Sequence, residues 1–175
     1  MLVLSYPAPM FATNCWVISA GVGQECIIID PGMPDISSEV TMLVEEYKLK
    51  PVAALLTHGH LDHTFSIVPL ADGYAIPTYI HSEDRRFVSN PSGIHGPDLM
   101  AQLGEMTFTE PKDLRELKNG EVINLWISSS PQSTLRVILV VQPCSPSMRR
   151  YSLAEMFSLL APLGEQIYRQ VVQRR

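Results

Sequence analysis

Four side chains able to bind a metal ion stand within one hexapeptide of Thr57-His58-Gly59-His60-Leu61-Asp62-His63-Thr64, behind the apolar run Val52-Ala53-Ala54-Leu55-Leu56. Imidazole nitrogen and carboxylate oxygen form the ligand set of catalytic zinc and of non-haem iron. Presented at the end of a rigid strand, several of them can be aimed at one point. His58 and His60 face the same way in an extended or tightly turned segment and can reach one ion. Asp62 and His63 sit one turn on and face a neighbouring position. The spacing suits two adjacent ions and predicts a hydrolytic metal site. A lone histidine near a strand end is more often a polar cap, but here three of the chain's five histidines and an aspartate share one short stretch.

The elements that must position this stretch are read from its surroundings. Residues 2–7, 14–20 and 25–30 are short apolar or β-branched runs separated by turn residues, which predicts a meander of strands with Gly21-Val22-Gly23-Gln24 as a hairpin connection. Between Asp35 and Lys48, Val40, Leu43, Val44 and Tyr47 recur at helical spacing, so an amphipathic helix is expected there, capped by Asp35 or Ser37. Residues 52–57 form the buried strand that delivers the metal motif. A helix is expected over 65–71, a short strand over 77–80 ending at His81, and a solvated helix start over 82–86. The Pro- and Gly-rich stretch 90–103 reads as a loop that lines an entrance or covers the core. His95, inside it, reads as a surface histidine and not as a ligand.

Composition excludes several classes of function. The chain has 175 residues, 46% of them hydrophobic, enough for one domain with a proper core. A net charge of −5 without a basic stripe argues against nucleic acid as a partner. Residues 1–7 lack a basic leader and read as a strand, and no apolar run is long enough for a membrane span, so a cytoplasmic protein is expected. Cys15, Cys26 and Cys144 have neither paired spacing nor a C-x-x-C, which predicts no disulfide framework and no zinc ribbon.

The hexapeptide resembles the H-x-H-x-D-H signature of the metallo-β-lactamase superfamily, as in glyoxalase II-like hydrolases. Asn14-Cys15-Trp16-Val17-Ile18 and Ile27-Ile28-Ile29-Asp30-Pro31-Gly32 resemble that family's first strands and the turn after them. The resemblance covers residues 1–124. It implies an α/β (α+β) fold, the αββα sandwich, with only its N-terminal half complete. It also implies that His58 and His60 bind a first metal and Asp62 and His63 a second, zinc or in its place iron or manganese, and that Asp62 also holds the attacking water. The implied substrate is a small-molecule thioester or ester. Asp30, before Pro-Gly, is read either as a plain turn former or, by the resemblance, as a brace beneath the metal loop. His81 falls where glyoxalase II-like sequences often carry a polar residue that is not a ligand.

After residues 116–127, which resemble the next strand pair, the resemblance stops. The family would continue into H-x-P-G-H, whose second histidine completes the first site, and into a G-D segment with a bridging aspartate. No histidine follows His95 in this chain. A catalytic zinc wants three protein ligands plus water, so each ion would have only two. Composition shifts near Leu125, which divides the chain into an N-terminal part, 1–124, and an atypical tail, 125–175. Joining the last base of each codon to the first two of the next makes residues 132–138 compatible with Lys-His-Ala-Pro-Gly-His. The same shift makes 150–169 compatible with a run containing Phe-Ser-Gly-Asp-Val-Leu-Phe. Two family motifs in one shifted frame indicate that the tail is read out of frame. The competing reading is a genuine alternative terminus, in which 152–173 form a helix kinked at Pro162. Three functions follow: a dinuclear hydrolase of the glyoxalase II-like group, a mononuclear-iron enzyme resembling persulfide dioxygenases, or a non-catalytic fragment.

Overall fold

A computed structural model describes residues 1–8, 13–32, 36–104, 106–118, 121–130, 133–140 and 171–173, with the backbone alone described at 96–100, 102, 122–130, 133–140 and 171–173. The first three runs form strands β1 (Leu2–Pro7), β2 (Asn14–Ser19) and β3 (Glu25–Ile29). They pair antiparallel in register, Leu4 opposite Val17 and Val17 opposite Ile28. From β3 the sheet turns parallel through β4 (Lys50–Leu55), β5 (Thr78–His81) and β6 (Leu114–Leu117). At the other edge β9 (Val171–Gln173) pairs parallel with β1, giving the order β6-β5-β4-β3-β2-β1-β9.

Strand alternation divides this sheet into two apolar faces. On one, Cys15, Val17, Cys26, Ile28, Ala54 and Leu56 pack with Ile36, Val40 and Val44 of α1 (Ile36–Glu46). Ile67, Leu70 and Ala71 of α3 (Ile67–Tyr74), which follows the short helix α2 (Leu61–Thr64) in the chain, join the same core. On the other face Val3, Ile18, Ile27, Ile29, Ala53 and Leu55 form a separate buried cluster. Burial on both faces explains why 27–29 and 53–56 read as unbroken apolar runs instead of alternating ones. Cys15 and Cys26 are free and buried. Burial pushes the Cys26 thiol up to about 12 and the Cys15 thiol higher still, as expected of thiols that pack as small hydrophobes.

Several expectations are corrected. The stretch 90–103 is not a loop: α4 (Arg85–Ser89) is followed by α5 (Ser92–Leu103). Pro91 at its entry has φ −67°, which suits a helix start, and the helix is anchored by tertiary contacts that composition does not record. Ser37 lies inside α1 and accepts from Thr41 Oγ1 instead of capping; Asp35 lies outside the described residues. The strand pair expected over 116–127 is split. β6 joins the main sheet, whereas β7 (Val122–Ser130) pairs with β8 (Ser133–Val140) in a two-stranded sheet, and β7 lies against β3. The tail read as atypical from 125 thus begins as strand over 125–130 and 133–140. Of the helix read over 152–173, residues 171–173 are strand, and the rest lies outside the described residues. Cys144 also lies outside them. Among the described residues no helix is long and apolar enough to cross a membrane.

Candidate metal centre

The metal motif emerges at the carboxyl ends of β3 and β4, the edge at which parallel α/β sheets place their ligands. Asp30 follows β3 directly and adopts a left-handed φ of 50°, a costly conformation for an aspartate. Its backbone N–H donates to Leu55 O at 3.0 Å, locking it to the end of β4. The side chain is buried, and its oxygens accept three hydrogen bonds or polar contacts. Thr57 N–H donates to Oδ1 at 2.8 Å, Thr57 Oγ1 donates to Oδ2 at 2.7 Å, and His63 Nδ1 lies 3.0 Å from Oδ2. Asp30 is thus both a turn former and a brace.

This network assigns the imidazole tautomers. Thr57 spends its only hydroxyl hydrogen on Asp30, so towards His58 Nδ1, 2.9 Å away, the hydroxyl oxygen can only accept. His58 therefore carries its hydrogen on Nδ1 and leaves Nε2 as a bare lone pair. The carboxylate of Asp30 likewise takes the Nδ1 hydrogen of His63 and leaves Nε2 of that ring bare. His58 Nε2 faces His60 Nδ1 at 2.9 Å, and His63 Nε2 faces Asp62 Oδ2 at 3.5 Å. Two ligands of one tetrahedral zinc stand about 3.3 Å apart when each metal–ligand bond is about 2.0–2.1 Å. Both pairs fall close to that spacing, and a lone pair set against a carboxylate oxygen calls for a cation between them. The donor set fits a metal ion.

The electrostatics agree. Burial, reinforced by the neighbouring His63, pushes His58 down to about 4. Burial and His95 lower His60. Burial disfavours charge on His63, but the Asp30 hydrogen bond and the nearby carboxylates outweigh it and raise His63. Burial likewise works against the Asp62 carboxylate, yet the Thr13 hydrogen bond and His63 lower it overall. Below its raised pKa a second proton on His63, at Nε2, stands where a cation would, and above it Nε2 is bare.

The loop is held in place from several sides. Thr13 Oγ1 donates to Asp62 Oδ2 at 2.7 Å, and Ser66 N–H donates to Gly32 O at 2.7 Å. A Cβ on Gly32 would lie 1.8 Å from the carbonyl oxygen of Asp62, and one on Gly59 2.8 Å from that of Asp84, so both positions require glycine. Leu61 N–H donates to His95 Nε2 at 2.9 Å, and the His95 ring lies 5.3 Å from that of His60.

His58, His60, Asp62 and His63 are therefore brought together in two facing pairs. Among the described residues no three His, Cys, Asp or Glu side chains converge as an ion would need. His81 is buried at the end of β5, where its Nδ1 accepts Glu83 N–H at 3.2 Å and serves the turn into α4. His95, read as a surface residue, stands instead beside His60, and Thr13 was not singled out at all. Neither left a signal in the sequence, since each contact joins residues far apart in the chain.

The family model described as the metallo-beta-lactamase superfamily matches residues 8–127. An uncharacterized protein of Mycobacterium leprae, ML0493, is 37% identical over 126 residues, 71% of this chain and 57% of that relative. A hydroxyacylglutathione hydrolase of Nitrosomonas eutropha is 36% identical over 75 residues, 42% of this chain and 28% of its own. The chain spans just over half the length of the first curated relatives it matches. Among solved structures, BLEG-1 B3 metallo-beta-lactamase has a TM-score of 0.58 at 24% identity, covering 78% of this chain and 67% of that one. TTHA1623 in a di-iron-bound form has a TM-score of 0.51 at 26% identity, covering 69% and 60%. The di-zinc class B3 enzyme LRA-12 from an Alaskan soil metagenome has a TM-score of 0.52 at 14% identity, covering 83% and 61%. The fold is theirs.

Proposed function

The chain belongs to the metallo-beta-lactamase superfamily, and from that premise we propose that it is the N-terminal, ion-binding part of a metal-dependent hydrolase of the glyoxalase II-like kind, acting on a small hydroxyacyl thioester or ester. One observation carries the reading: the Asp30–Thr57 network leaves Nε2 of both His58 and His63 as lone pairs turned towards other metal-ligand atoms. His58 Nε2 and His60 Nδ1 would hold one ion, and Asp62 Oδ2 with His63 Nε2 a second. When bound, zinc, or iron or manganese in its place, would supply Lewis-acid activation of water and of the acyl carbonyl.

The chain's own residues do the remaining work. Asp30 fixes the orientation of His63 directly and that of His58 through Thr57, which keeps both rings in the ligating tautomer. Asp62, steadied by Thr13, is also the residue that orients the attacking water. The relative named as a hydroxyacylglutathione hydrolase supports the choice of a thioester, and the di-iron and di-zinc structures support the choice of metals.

We place the third histidine of the first site and the bridging aspartate in the shifted reading of 132–138 and 150–169, so that 1–124 is one half of the domain and 125–175 an out-of-frame tail. Two protein donors per ion bind weakly, and the chain with its present tail should be a poor hydrolase. The test compares this chain with a version continued in the shifted frame from Leu125, measuring metal content, thioester hydrolysis and oxygen uptake. Two ions per chain with hydrolysis are expected of the continued version, and substoichiometric metal without turnover of the present one. Iron with oxygen uptake would replace the hydrolase by the dioxygenase reading, and a continued chain that binds no metal would overturn the proposal. Resequencing the gene around codon 125 checks the frame itself.

A further inference from the structure

We propose that His95 is a positioning residue of the ion site, holding from α5 the first turn of the helix that presents Asp62 and His63. The inference rests on the reading above that the hexapeptide binds an ion. The first N–H groups of any helix have no partner within it, and the residue before the helix ordinarily supplies a side-chain acceptor. That residue here is His60, with the extended φ −68° and ψ 142° of a cap but no side-chain cap hydrogen bond. Its ring is turned instead towards His58, Nδ1 to Nε2 at 2.9 Å. A residue committed to an ion cannot also cap the helix.

The acceptor comes from another element. Leu61 is buried, and its N–H donates to His95 Nε2 at 2.9 Å. With Nε2 accepting, a neutral His95 carries its hydrogen on Nδ1. A second contact fixes the helix that carries it. The ring of Phe87 is wedged between α5 and the metal loop, so close that a Cβ on Gly93 would lie 2.9 Å from Phe87 Cε1 and one on Gly59 3.0 Å from Phe87 Cβ. His95 follows Gly93 by two residues, so its ring is referenced to the loop it caps. Releasing the bond frees the turn that sets Asp62 Oδ2 against His63 Nε2.

The test is a zinc titration of the purified chain against a competing chelator for wild type, His95→Ala, His95→Gln and His58→Ala, with the Leu61 amide followed by NMR in each metal-free protein. His95→Ala should weaken zinc binding about 10-fold, the lower end of what loss of a residue behind a ligand costs, and move the Leu61 amide resonance towards its unbonded position. His95→Gln, whose amide oxygen can accept the same N–H, should restore most of both. A general loss of packing would not be rescued in this way. Zinc binding that His58→Ala abolishes but His95→Ala leaves unchanged overturns this inference and spares the metal reading. Wild-type protein that binds zinc no better than His58→Ala overturns this inference, and the metal reading falls with it when the chain continued in the shifted frame binds no zinc either.

Discussion

Two histidines stand at the carboxyl ends of neighbouring parallel strands, His58 just after β4 and His81 at the end of β5, and their fates differ. Behind His58 lies a buried carboxylate. Asp30, through Thr57, takes the hydrogen of Nδ1 and leaves Nε2 bare towards His60. Behind His81 there is only a turn amide: Glu83 N–H donates to Nδ1, so a neutral ring carries its hydrogen on Nε2, which has no hydrogen-bond partner among the described residues. The same residue type at the same kind of strand end is a prospective ligand in one case and a buried turn residue in the other. The group holding the rear nitrogen decides which.

The comparison can be broken most severely at Gly32, because the loop that carries Asp62 and His63 passes directly over it. Gly32→Ala places a methyl 1.8 Å from the carbonyl oxygen of Asp62. A loss of about 3 kcal/mol or more is expected from such overpacking, read as a lower Tm by calorimetry; an unchanged Tm would mean the loop does not close on β3 as described.

Acid should also act on the strand end that carries His58. The His58 pKa in the folded protein is about 4, against an ordinary 6.5. The unfolded chain therefore binds the proton more tightly. The stabilisation is present above 6.5 and is lost as pH falls towards 4, a change of about 3 kcal/mol. His63, raised, works in the opposite sense and loses its contribution as pH rises through its folded value. Metal-free protein should thus lose Tm on acidification below 6.5, and His58→Gln should flatten that limb. An unaltered limb in the variant would contradict the assignment.

Smaller in effect, Asp30→Asn removes the charge that orients both rear nitrogens while keeping the shape. Zinc affinity should fall about 10- to 100-fold by chelator competition. The smallest effect on the ion is expected at the other strand end: His81→Gln should lower Tm through lost packing yet leave zinc affinity within about 2-fold, since no ligand depends on it. Equal losses of affinity for Asp30→Asn and His81→Gln would erase the distinction.

Much of the frame was legible because it is local. The runs at 2–7, 14–20 and 25–30 were visible as strands, Val40 and Val44 as a helix face, and the hexapeptide as a cluster of ligands. What escaped was set by contacts between distant residues. The α5 helix was hidden by its Pro and Gly content, and it is Phe87 against Gly93 and Leu61 N–H on His95 that hold it against the loop. Thr13 reaches Asp62 across 49 positions, with no period to betray it. The hairpin β7–β8 was missed because 126–130 is rich in serine, whereas cross-strand pairing, Trp126 opposite Arg136 and Ile127 opposite Leu135, fixes its strands.

The central claim is that Asp30 prepares His58 and His63 for an ion before any ion arrives. Long-range proton–nitrogen NMR of the imidazole rings, recorded in mildly alkaline solution with and without zinc, tests it most directly. Both rings should be protonated on Nδ1 and bare on Nε2 in the metal-free chain, with the Nε2 resonances moving when zinc is added. Hydrogen found on Nε2 of either ring, or Nε2 resonances indifferent to zinc, would contradict it.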